Sequence, residues 1–350
     1  MQVALSMPAN LSPEYKKAEA AYRAATEDRE RLACLKDMLR AIPKHKGTEN
    51  MQADLKSRIK ELGDELAGPK KGAARTGPVH VVRPEGAAQI ALLGPPNAGK
   101  STLHVELTGS RAEVGPYPHT THEPMPGMLP YEDIHFQLVD LPPVSAAYFE
   151  PWLANTLQPA DGALLVVDLK DPACADDVAA IVAQLEGKRI SLTAEWPHHR
   201  VESAATEVED VAALDPFRIR LPALLVANKC DLEASEEDLK VLQELAGIEL
   251  PAIRVSALRG DGLDAIGRFL FEALEIVRVY TKTPGKSPEM DRPFTLRKGA
   301  TVHDVARLVH KDLAASLKYA RAWGVGVFDG QQVGPDHPVS DRDVVELHMR

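Results

Sequence analysis

A complete phosphate-loop motif constrains this chain more than any other feature of its 350 residues. Residues 94–101 read G-P-P-N-A-G-K-S, which fits the pattern G-x4-G-K-S, directly after the apolar run 89–93. Backbone N–H groups in such a loop and at the start of the following helix converge on one anion. The residues that we expect to hold nucleotide phosphates are Pro96, Asn97, Ala98, Gly99, Lys100, Ser101 and Thr102.

Phosphate charge and a Mg²⁺ ion require specific side chains near this loop. Lys100 should reach the β- and γ-phosphates and is a candidate catalytic residue, and the Ser101 hydroxyl should ligate Mg²⁺. The sequence Y-P-H-T-T ends at Thr121, whose hydroxyl is a second candidate metal ligand and catalytic group, with Thr120 as the alternative. Asp140, at the end of the next apolar run, should hold the same ion through water.

A second motif, N-K-C-D at residues 228–231, predicts which base is bound. The Asp231 carboxylate offers two acceptors that match N1–H and the exocyclic amine of guanine, whereas adenine presents an acceptor where that proton should be. We therefore favour guanine over adenine, which disfavours an ATPase. Ser256-Ala257 lies at the end of another apolar run and is placed to give a backbone N–H to guanine O6. The residues expected at the base are Asn228, Lys229, Asp231, Ser256 and Ala257.

Short apolar runs that alternate with helical stretches predict an α/β fold for the middle of the chain. The runs are 89–93, 134–140, 163–168, 223–228 and 252–256. Continuous apolar runs suit strands that are buried on both faces, so we expect a mostly parallel sheet covered by helices. Residues 190–221 are too long for an ordinary connection and are predicted to be an insertion.

The regions on either side have different patterns. Ser12-Pro13 is a favourable helix start, and apolar residues then recur at helical spacing as far as Ile42; a second amphipathic helix follows Thr48. This predicts a helical hairpin. After residue 276 the pattern is strand, strand, one helix over 302–317, strand, strand, which suggests a compact sheet holding a helix. We therefore divide the chain into an arm and linker at 1–84, a nucleotide domain at 85–276 and a β-rich domain at 277–350.

Composition places the chain among soluble proteins and shows an uneven charge. Lys and Arg outnumber Asp and Glu by 16 to 11 in residues 1–84, whereas residues 85–284 hold 15 against 31. The basic arm is compatible with contact to RNA, because phosphate contacts depend on local charge; a solvated helix surface is the alternative. No apolar run is long enough to span a bilayer and no signal peptide is evident, so we expect a cytoplasmic location.

Several of these segments together resemble one protein family. The arm carries P-K-H-K-G-T-E at 43–49, and the tail carries V-R-V-Y-T-K at 277–282, L-R-K-G-A-T-V at 296–302 and K-Y-A-R-A-W-G at 318–324. In order with the motifs above, they resemble the Obg branch of GTPases, most closely the developmentally regulated GTP-binding (DRG) proteins. The resemblance covers nearly the whole chain. It implies a P-loop GTPase domain, a C-terminal TGS domain of β-grasp fold, and GTP-dependent association with ribosomes or RNA.

Two positions depart from the family pattern. The family's second switch reads D-x-P-G, but here Pro143 replaces the glycine, whose amide normally donates to the γ-phosphate. Either GTP is hydrolysed slowly, or a neighbouring amide such as that of Val144 substitutes. Asn97 stands where many members have serine. It resembles potassium-activated GTPases, so K⁺ is a candidate second cofactor beside Mg²⁺.

These features lead to two expectations about function. The first is a slow GTPase that docks on a ribosome or RNA through its arm and TGS domain, with an accessory protein as a further open partner. The second is a non-hydrolysing GTP/GDP-binding scaffold or sensor in which Pro143 has ended catalysis. No catalytic base can be named, because Val144 occupies the position where a Ras-type enzyme has a water-orienting glutamine.

Overall fold

The computed structural model describes residues 12–25, 28–43, 48–67, 82–110, 123–146, 148–196, 218–232 and 235–349. The chain separates into two compact units, Met1–Val79 and His80–Arg350. Within the described ranges, no helix combines the length and the apolar character that a bilayer span requires.

The described residues of the first unit form three helices where the sequence predicted two. They are α1 Pro13–Ala24, α2 Asp28–Ala41 and α3 Glu49–Ala67. The predicted continuous helix from Ser12 to Ile42 is wrong, because Ala25 is extended and the Ser12 hydroxyl donates to the carbonyl of Ala41 at 3.0 Å, so α1 folds back beside α2. The physical reason is visible in the sequence: residues 26–31 are all polar and interrupt the apolar stripe.

The second unit begins with a seven-stranded sheet that confirms the predicted α/β class. Its strands are β1 Gln89–Leu93, β2 Met125–Tyr131, β3 Ile134–Asp140, β4 Gly162–Asp168, β5 Ile190–Thr193, β6 Ile219–Asn228 and β7 Ala252–Arg254. The order is β2-β3-β1-β4-β6-β5, with β7 also beside β6, and every pairing is parallel except that of β2 with β3. The proposed insertion is therefore shorter than expected, because its two ends are strands of this sheet.

Helices cover both faces of the sheet, and an apolar cluster lies on each face. The helices are α4 Lys100–Thr108, α5 Leu153–Leu157, α6 Cys174–Gly187, α7 Glu236–Ala246 and α8 Asp264–Ala273. Strands β1, β4 and β6 are buried almost throughout, which explains their continuous apolar runs. Since parallel strands end at one edge, the residues that follow β1, β3, β4 and β6 meet there.

A five-stranded sheet follows, and its order is β11-β10-β12-β8-β9. Its elements are β8 Ile276–Thr281, β9 Glu289–Arg297, α9 Val302–Val309, α10 Lys311–Ser316, β10 Leu317–Trp323, β11 Gln331–Val333 and β12 Asp343–Met349. The central strands β8 and β12 run parallel, and α9 packs on one face. The single helix predicted over 302–317 is two helices, because His310 is extended, and the sequence reading missed β11.

Candidate nucleotide site

The loop between β1 and α4 adopts a phosphate-binding conformation. Gly99 ends the loop in the left-handed region, with φ of 88°, and α4 begins at Lys100. A Cβ atom at Gly99 would lie 2.3 Å from Nδ2 of Asn228, so only glycine fits between the loop and β6. Asn97 also has a positive φ, of 62°, which asparagine tolerates better than most residues.

Lys100 is held over this loop by backbone carbonyl groups. Its Nζ donates to the carbonyl oxygens of Gly94 at 3.0 Å and Pro95 at 2.9 Å. Burial lowers the pKa of Lys100 to about 8, although Asp140 opposes the shift. Phosphate oxygens can replace these carbonyls as acceptors and favour the charged ammonium form, so the lysine is already placed for the expected role.

Ser101 and Asp140 lie together beside the loop. The Ser101 hydroxyl donates to Oδ2 of Asp140 at 2.7 Å. This bond joins the first turn of α4 to the last residue of β3. Mg²⁺ prefers hard oxygen ligands and is usually bound by one or two carboxylates together with phosphates and water. The hydroxyl and carboxylate therefore fit a Mg²⁺ site. Thr121 and Thr120, the other candidate ligands, lie outside the described residues.

Asn228 connects the phosphate loop to the loop that follows β7. It is 2% exposed, its Nδ2 donates to the carbonyl of Ala98 at 3.0 Å, and its Oδ1 accepts from the amide of Ala257 at 3.0 Å. Of the two backbone amides predicted as guanine donors, that of Ala257 thus donates to Asn228 and that of Ser256 donates to the carbonyl of Asp261 at 2.9 Å. Both halves of the site are joined through one buried carboxamide.

Lys229 extends along the same edge of the sheet. Its Nζ donates to the carbonyl of Asn97 and to Oδ2 of Asp168, both at 2.8 Å. Asp168, which ends β4, was not among the predicted site residues. The available signal was its position at the end of an apolar strand, next to the ends of β1 and β6.

Asp231 is the predicted base-selecting carboxylate, and it lies in a short 3₁₀ helix over residues 230–232. Its Oδ1 accepts a hydrogen bond from the Ser256 hydroxyl at 2.7 Å. This bond lowers the pKa of Asp231, so the group is an ionised acceptor at neutral pH. A cleft of about 290 Å³ opens beside it, lined also by Cys230 and Arg259.

The loop after β3 contains Pro143, one of the two departures from the family pattern, and Val144, the substitute amide donor considered from the sequence. Pro143 and Val144 are buried, and the Val144 amide donates to the carbonyl of Gly94 at 3.2 Å. Pro143 has no N–H to donate. The substitute donor considered from sequence is therefore already bonded to the phosphate loop.

The predicted residues thus meet at one edge of the sheet, apart from those at 120–121. The remaining members take the places expected: Pro96 is half-buried and Ala98 buried in the loop, and Thr102 lies in the first turn of α4. This strand order, phosphate loop and joined base motif define the class of P-loop GTPases.

Comparison with known proteins agrees with this class. The family described as "50S ribosome-binding GTPase" matches residues 89–195, and the family described as "TGS domain" matches residues 277–349. An uncharacterized GTP-binding protein of Methanocaldococcus jannaschii is 30% identical over 92% of this chain and 93% of its own length. Developmentally-regulated GTP-binding protein 2 of Mus musculus is 26% identical over 91% of this chain and 98% of its own.

Among solved structures, a GTP binding protein from Pyrococcus horikoshii has 18% identity and a TM-score of 0.46, covering 75% of this chain and 100% of its own. The sequence relatives span nearly the whole chain. The chain therefore belongs to the family of developmentally regulated GTP-binding proteins, with a P-loop GTPase domain followed by a TGS domain.

Proposed function

We propose that this protein binds GTP and GDP with Mg²⁺, hydrolyses GTP slowly, and acts in the cytoplasm in association with a ribosome or RNA. The observation that carries the proposal is the joining of the phosphate loop to the base motif through Asn228. A nucleotide that spans the two halves would contact both ends of this connection. Family membership supports the same class of ligand.

Guanine selection follows from the ionised carboxylate of Asp231. Its Oδ1 is held by Ser256, and hydrogen bonds to both guanine donors would leave the carboxylate well paired. Adenine would leave it facing a ring acceptor, so the carboxylate would lose hydrogen-bond partners on the base and adenine would bind more weakly. We therefore assign GTP rather than ATP as the ligand.

Different residues would bind the phosphate oxygens and the Mg²⁺ ion. Lys100 would contact β- and γ-phosphate oxygens and neutralise charge that develops in the transition state. Ser101 and Asp140 would hold Mg²⁺, which supplies charge neutralisation at the same oxygens. We retain Thr121 as a further metal ligand and catalytic group, and K⁺ beside Asn97 as a candidate second cofactor.

Slow hydrolysis is proposed because the loop after β3 offers few donors to the γ-phosphate. Pro143 has none, and the Val144 amide is bonded to Gly94. The same observation favours a second candidate function, a GTP/GDP-binding scaffold or sensor that does not turn over. Multiple-turnover phosphate release with and without ribosomes separates the two, and a flat trace in both conditions supports the scaffold.

Association with RNA is supported by one face of the TGS sheet. Tyr319, Arg321 and Trp323 alternate with buried residues along β10 and therefore share the face opposite α9. The ring of His348 stacks on Tyr319 with centroids 4.6 Å apart, and the ammonium of Lys282 lies 4.4 Å from the centroid of Trp323. Aromatic rings beside cations are the usual platform for single-stranded nucleic acid.

Charge on this face is mixed. Glu346 pairs with His348 at 2.7 Å and with Lys282 at 3.4 Å, while Arg321 is exposed. The face would therefore bind RNA with modest affinity, so we propose that the basic arm contributes as well. An accessory protein remains a further candidate partner.

Calorimetry on the full chain tests the nucleotide assignment. With Mg²⁺ present, GDP and a non-hydrolysable GTP analogue should both release binding heat, and ATP should bind much more weakly. Tighter binding of ATP, or no heat with either guanine nucleotide, would overturn the assignment. Co-sedimentation with ribosomal subunits in GDP and in the GTP analogue then tests the partner, and indifference to nucleotide would contradict a working switch.

A further inference from the structure

A buried arginine joins the TGS domain to the nucleotide domain. Arg278, in β8, is 3% exposed, and its Nε and Nη2 donate to the two carboxylate oxygens of Asp341 at 3.0 and 2.7 Å. Its Nη1 reaches the other domain, where it donates to Asp133 at 2.7 Å and also to Glu132. Its guanidinium carbon lies 4.9 Å from the centroid of the Phe271 ring.

Two further residues of the TGS domain bind the same pair of carboxylates. The Tyr280 hydroxyl donates to Asp133, and Nη2 of Arg342 donates to Glu132 at 3.0 Å. The hydrogen bonds from Arg278 and then Arg342 hold the pKa of Glu132 below its usual range. We call Glu132, Asp133, Arg278, Tyr280, Asp341 and Arg342 the Arg278 cluster.

The two carboxylates form the tip of the β2–β3 hairpin. Tyr131 pairs with Ile134, so Glu132 and Asp133 are a two-residue turn. Glu132 has a φ of 49°, in the left-handed region where such turns normally carry Asn, Asp or Gly. A glutamate in this conformation is uncommon, and strained residues persist where surrounding contacts fix them. Here the fixing contacts come from the other domain.

The opposite end of the hairpin is the proposed Mg²⁺ site. Met125 pairs with Asp140, the residue that contacts Ser101. The seven residues of β3 span roughly 20 Å, and a paired hairpin transmits displacement of its tip along the strands. Asp140 is also paired with Leu92 of β1, so a shift of β2 and β3 along the strand direction would disturb that pairing at one end and the cluster at the other.

We propose that Arg278 is a positioning residue for the nucleotide site, because its cluster fixes the β2–β3 hairpin, and with it Asp140, to the TGS domain. The inference rests on the proposed nucleotide binding and adds its regulation. A ligand that displaces the TGS domain changes the relative affinity for GDP and GTP, and by thermodynamic reciprocity the nucleotide changes the affinity for that ligand.

A merely structural bond between the domains is the competing explanation, and the chain offers a matched control. Arg297 of the TGS domain pairs with Asp161 at 2.9 Å, ahead of β4 and away from the hairpin. Substitution of either arginine weakens the same domain contact, but of these two side chains Arg278 donates to the hairpin tip, whereas Arg297 donates to Asp161 and the carbonyl of Leu274. If the bonds only hold the two domains together, substitution of Arg278 and substitution of Arg297 should change nucleotide affinity equally.

The test compares three variants with the wild type. Tyr280→Phe removes one hydroxyl, Arg278→Lys removes the bidentate contact, and Arg297→Gln is the control. Affinities for fluorescent GDP and a fluorescent GTP analogue are measured with Mg²⁺. We expect the ratio of the two affinities to change by about fivefold or more in Arg278→Lys, less in Tyr280→Phe, and to stay at the wild-type value in Arg297→Gln.

An unchanged ratio in both cluster variants, or an equal change in Arg297→Gln, overturns the inference. Failure of the wild type to bind either nucleotide overturns the proposed function instead. Hydrogen exchange of the β2–β3 amides gives a readout without nucleotide: faster exchange in Tyr280→Phe and Arg278→Lys than in Arg297→Gln is expected, and equal exchange in all variants contradicts the positioning role.

Discussion

The backbone amide of Val144 donates a hydrogen bond to the carbonyl oxygen of Gly94, with 3.2 Å between nitrogen and oxygen. This bond ties the loop after β3 to the first residue of the phosphate loop. Gly94 also accepts from Lys100, so one carbonyl holds both groups that would otherwise face a γ-phosphate. The bond of Val144 to Gly94 must break before this amide can donate to a γ-phosphate.

Restoring an amide at position 143 should improve discrimination. Pro143→Ala adds an N–H next to the phosphates, and a hydrogen bond to a charged acceptor contributes about 1.5–3 kcal/mol. We expect the affinity for a GTP analogue to rise about tenfold relative to that for GDP. Pro142→Ala is the control, because it adds an amide one residue earlier. Equal effects of both changes would point to loop flexibility.

Base selection should change with one atom at position 231. Asp231→Asn replaces an acceptor with a donor, which mismatches guanine but matches the 2-carbonyl of xanthine. GDP affinity should fall about a hundredfold, and xanthosine diphosphate should bind more tightly than to the wild type. Asp261→Asn, in the same cleft, should leave both affinities unchanged. Calorimetry measures all of these, and retained guanine preference in Asp231→Asn would contradict the assignment.

Asn228 should stabilise the fold before any ligand binds. Asn228→Ala removes the partners of the Ala98 carbonyl and the Ala257 amide, both in a buried region, so the free energy of unfolding should fall by about 2 kcal/mol. Urea unfolding without nucleotide measures this. The exposed Asn155 provides a control, since Asn155→Ala should change stability little. Equal stability of the two variants would show that the connection is not structural.

Potassium dependence can be separated from backbone geometry at Asn97. Its φ of 62° is itself a reason for asparagine, and its carbonyl accepts from Lys229. Asn97→Gly keeps this conformation but removes the side-chain oxygen that would hold K⁺. If K⁺ participates, GTP hydrolysis by the wild type is faster in KCl than in NaCl, and the variant loses the difference. Equal rates for the wild type remove K⁺ from the site.

The Arg278 cluster should make stability sensitive to acid. Hydrogen bonds from Arg278 and Arg342 hold the pKa of Glu132 below its usual 4.5. Burial alone would raise the pKa of Asp133 and of Asp341. Hydrogen bonds from Tyr280 and Arg278 to Asp133, and from Arg278 to Asp341, outweigh it and lower both pKa values. Carboxylates with lowered pKa stabilise the fold fully above their unfolded pKa and lose that contribution as pH falls through the folded value.

The melting temperatures of the wild type and Arg278→Lys should therefore differ by a constant amount from pH 7 to about 5 and converge as pH falls below 4.5. Tyr280 does not titrate in this window, because burial and then Asp133 raise its pKa to about 12. Thermal unfolding across this range checks the prediction, and a difference that widens in acid would contradict it.

Much of the nucleotide site could be predicted because each part has a local signal. Strands such as β1 and β4 are buried on both faces, so continuous apolar runs marked them, and the motifs lie at their ends. Hydrogen bonds between side chains of different domains had no local signal in the sequence. The bond from Arg278 to Glu132 joins residues of different domains, and neither position has a spacing that selects the other.

Local breaks were equally hard to predict. The polar run 26–31 indicates a break after α1, but the way α1 lies beside α2 depends on the bond of Ser12 to Ala41, between residues that are distant in sequence. Strand β11 has three residues, which is too short for a period of two to be recognised. The sequence showed that Asp168 ends an apolar strand, but it did not show that Asp168 pairs with Lys229.

Trp196 is fully buried, and its ring fills the space that a side chain at Gly162 would need. On the far side of the long segment 197–217, Arg218 donates to the Ser191 hydroxyl at 2.7 Å and the chain enters β6. Both ends of this segment are thus anchored beside β5 and β6, which run parallel and need a crossover of about a dozen residues. A linker that replaces residues 197–217 must therefore reach from Trp196 to Arg218 if β5 and β6 are to keep their parallel pairing.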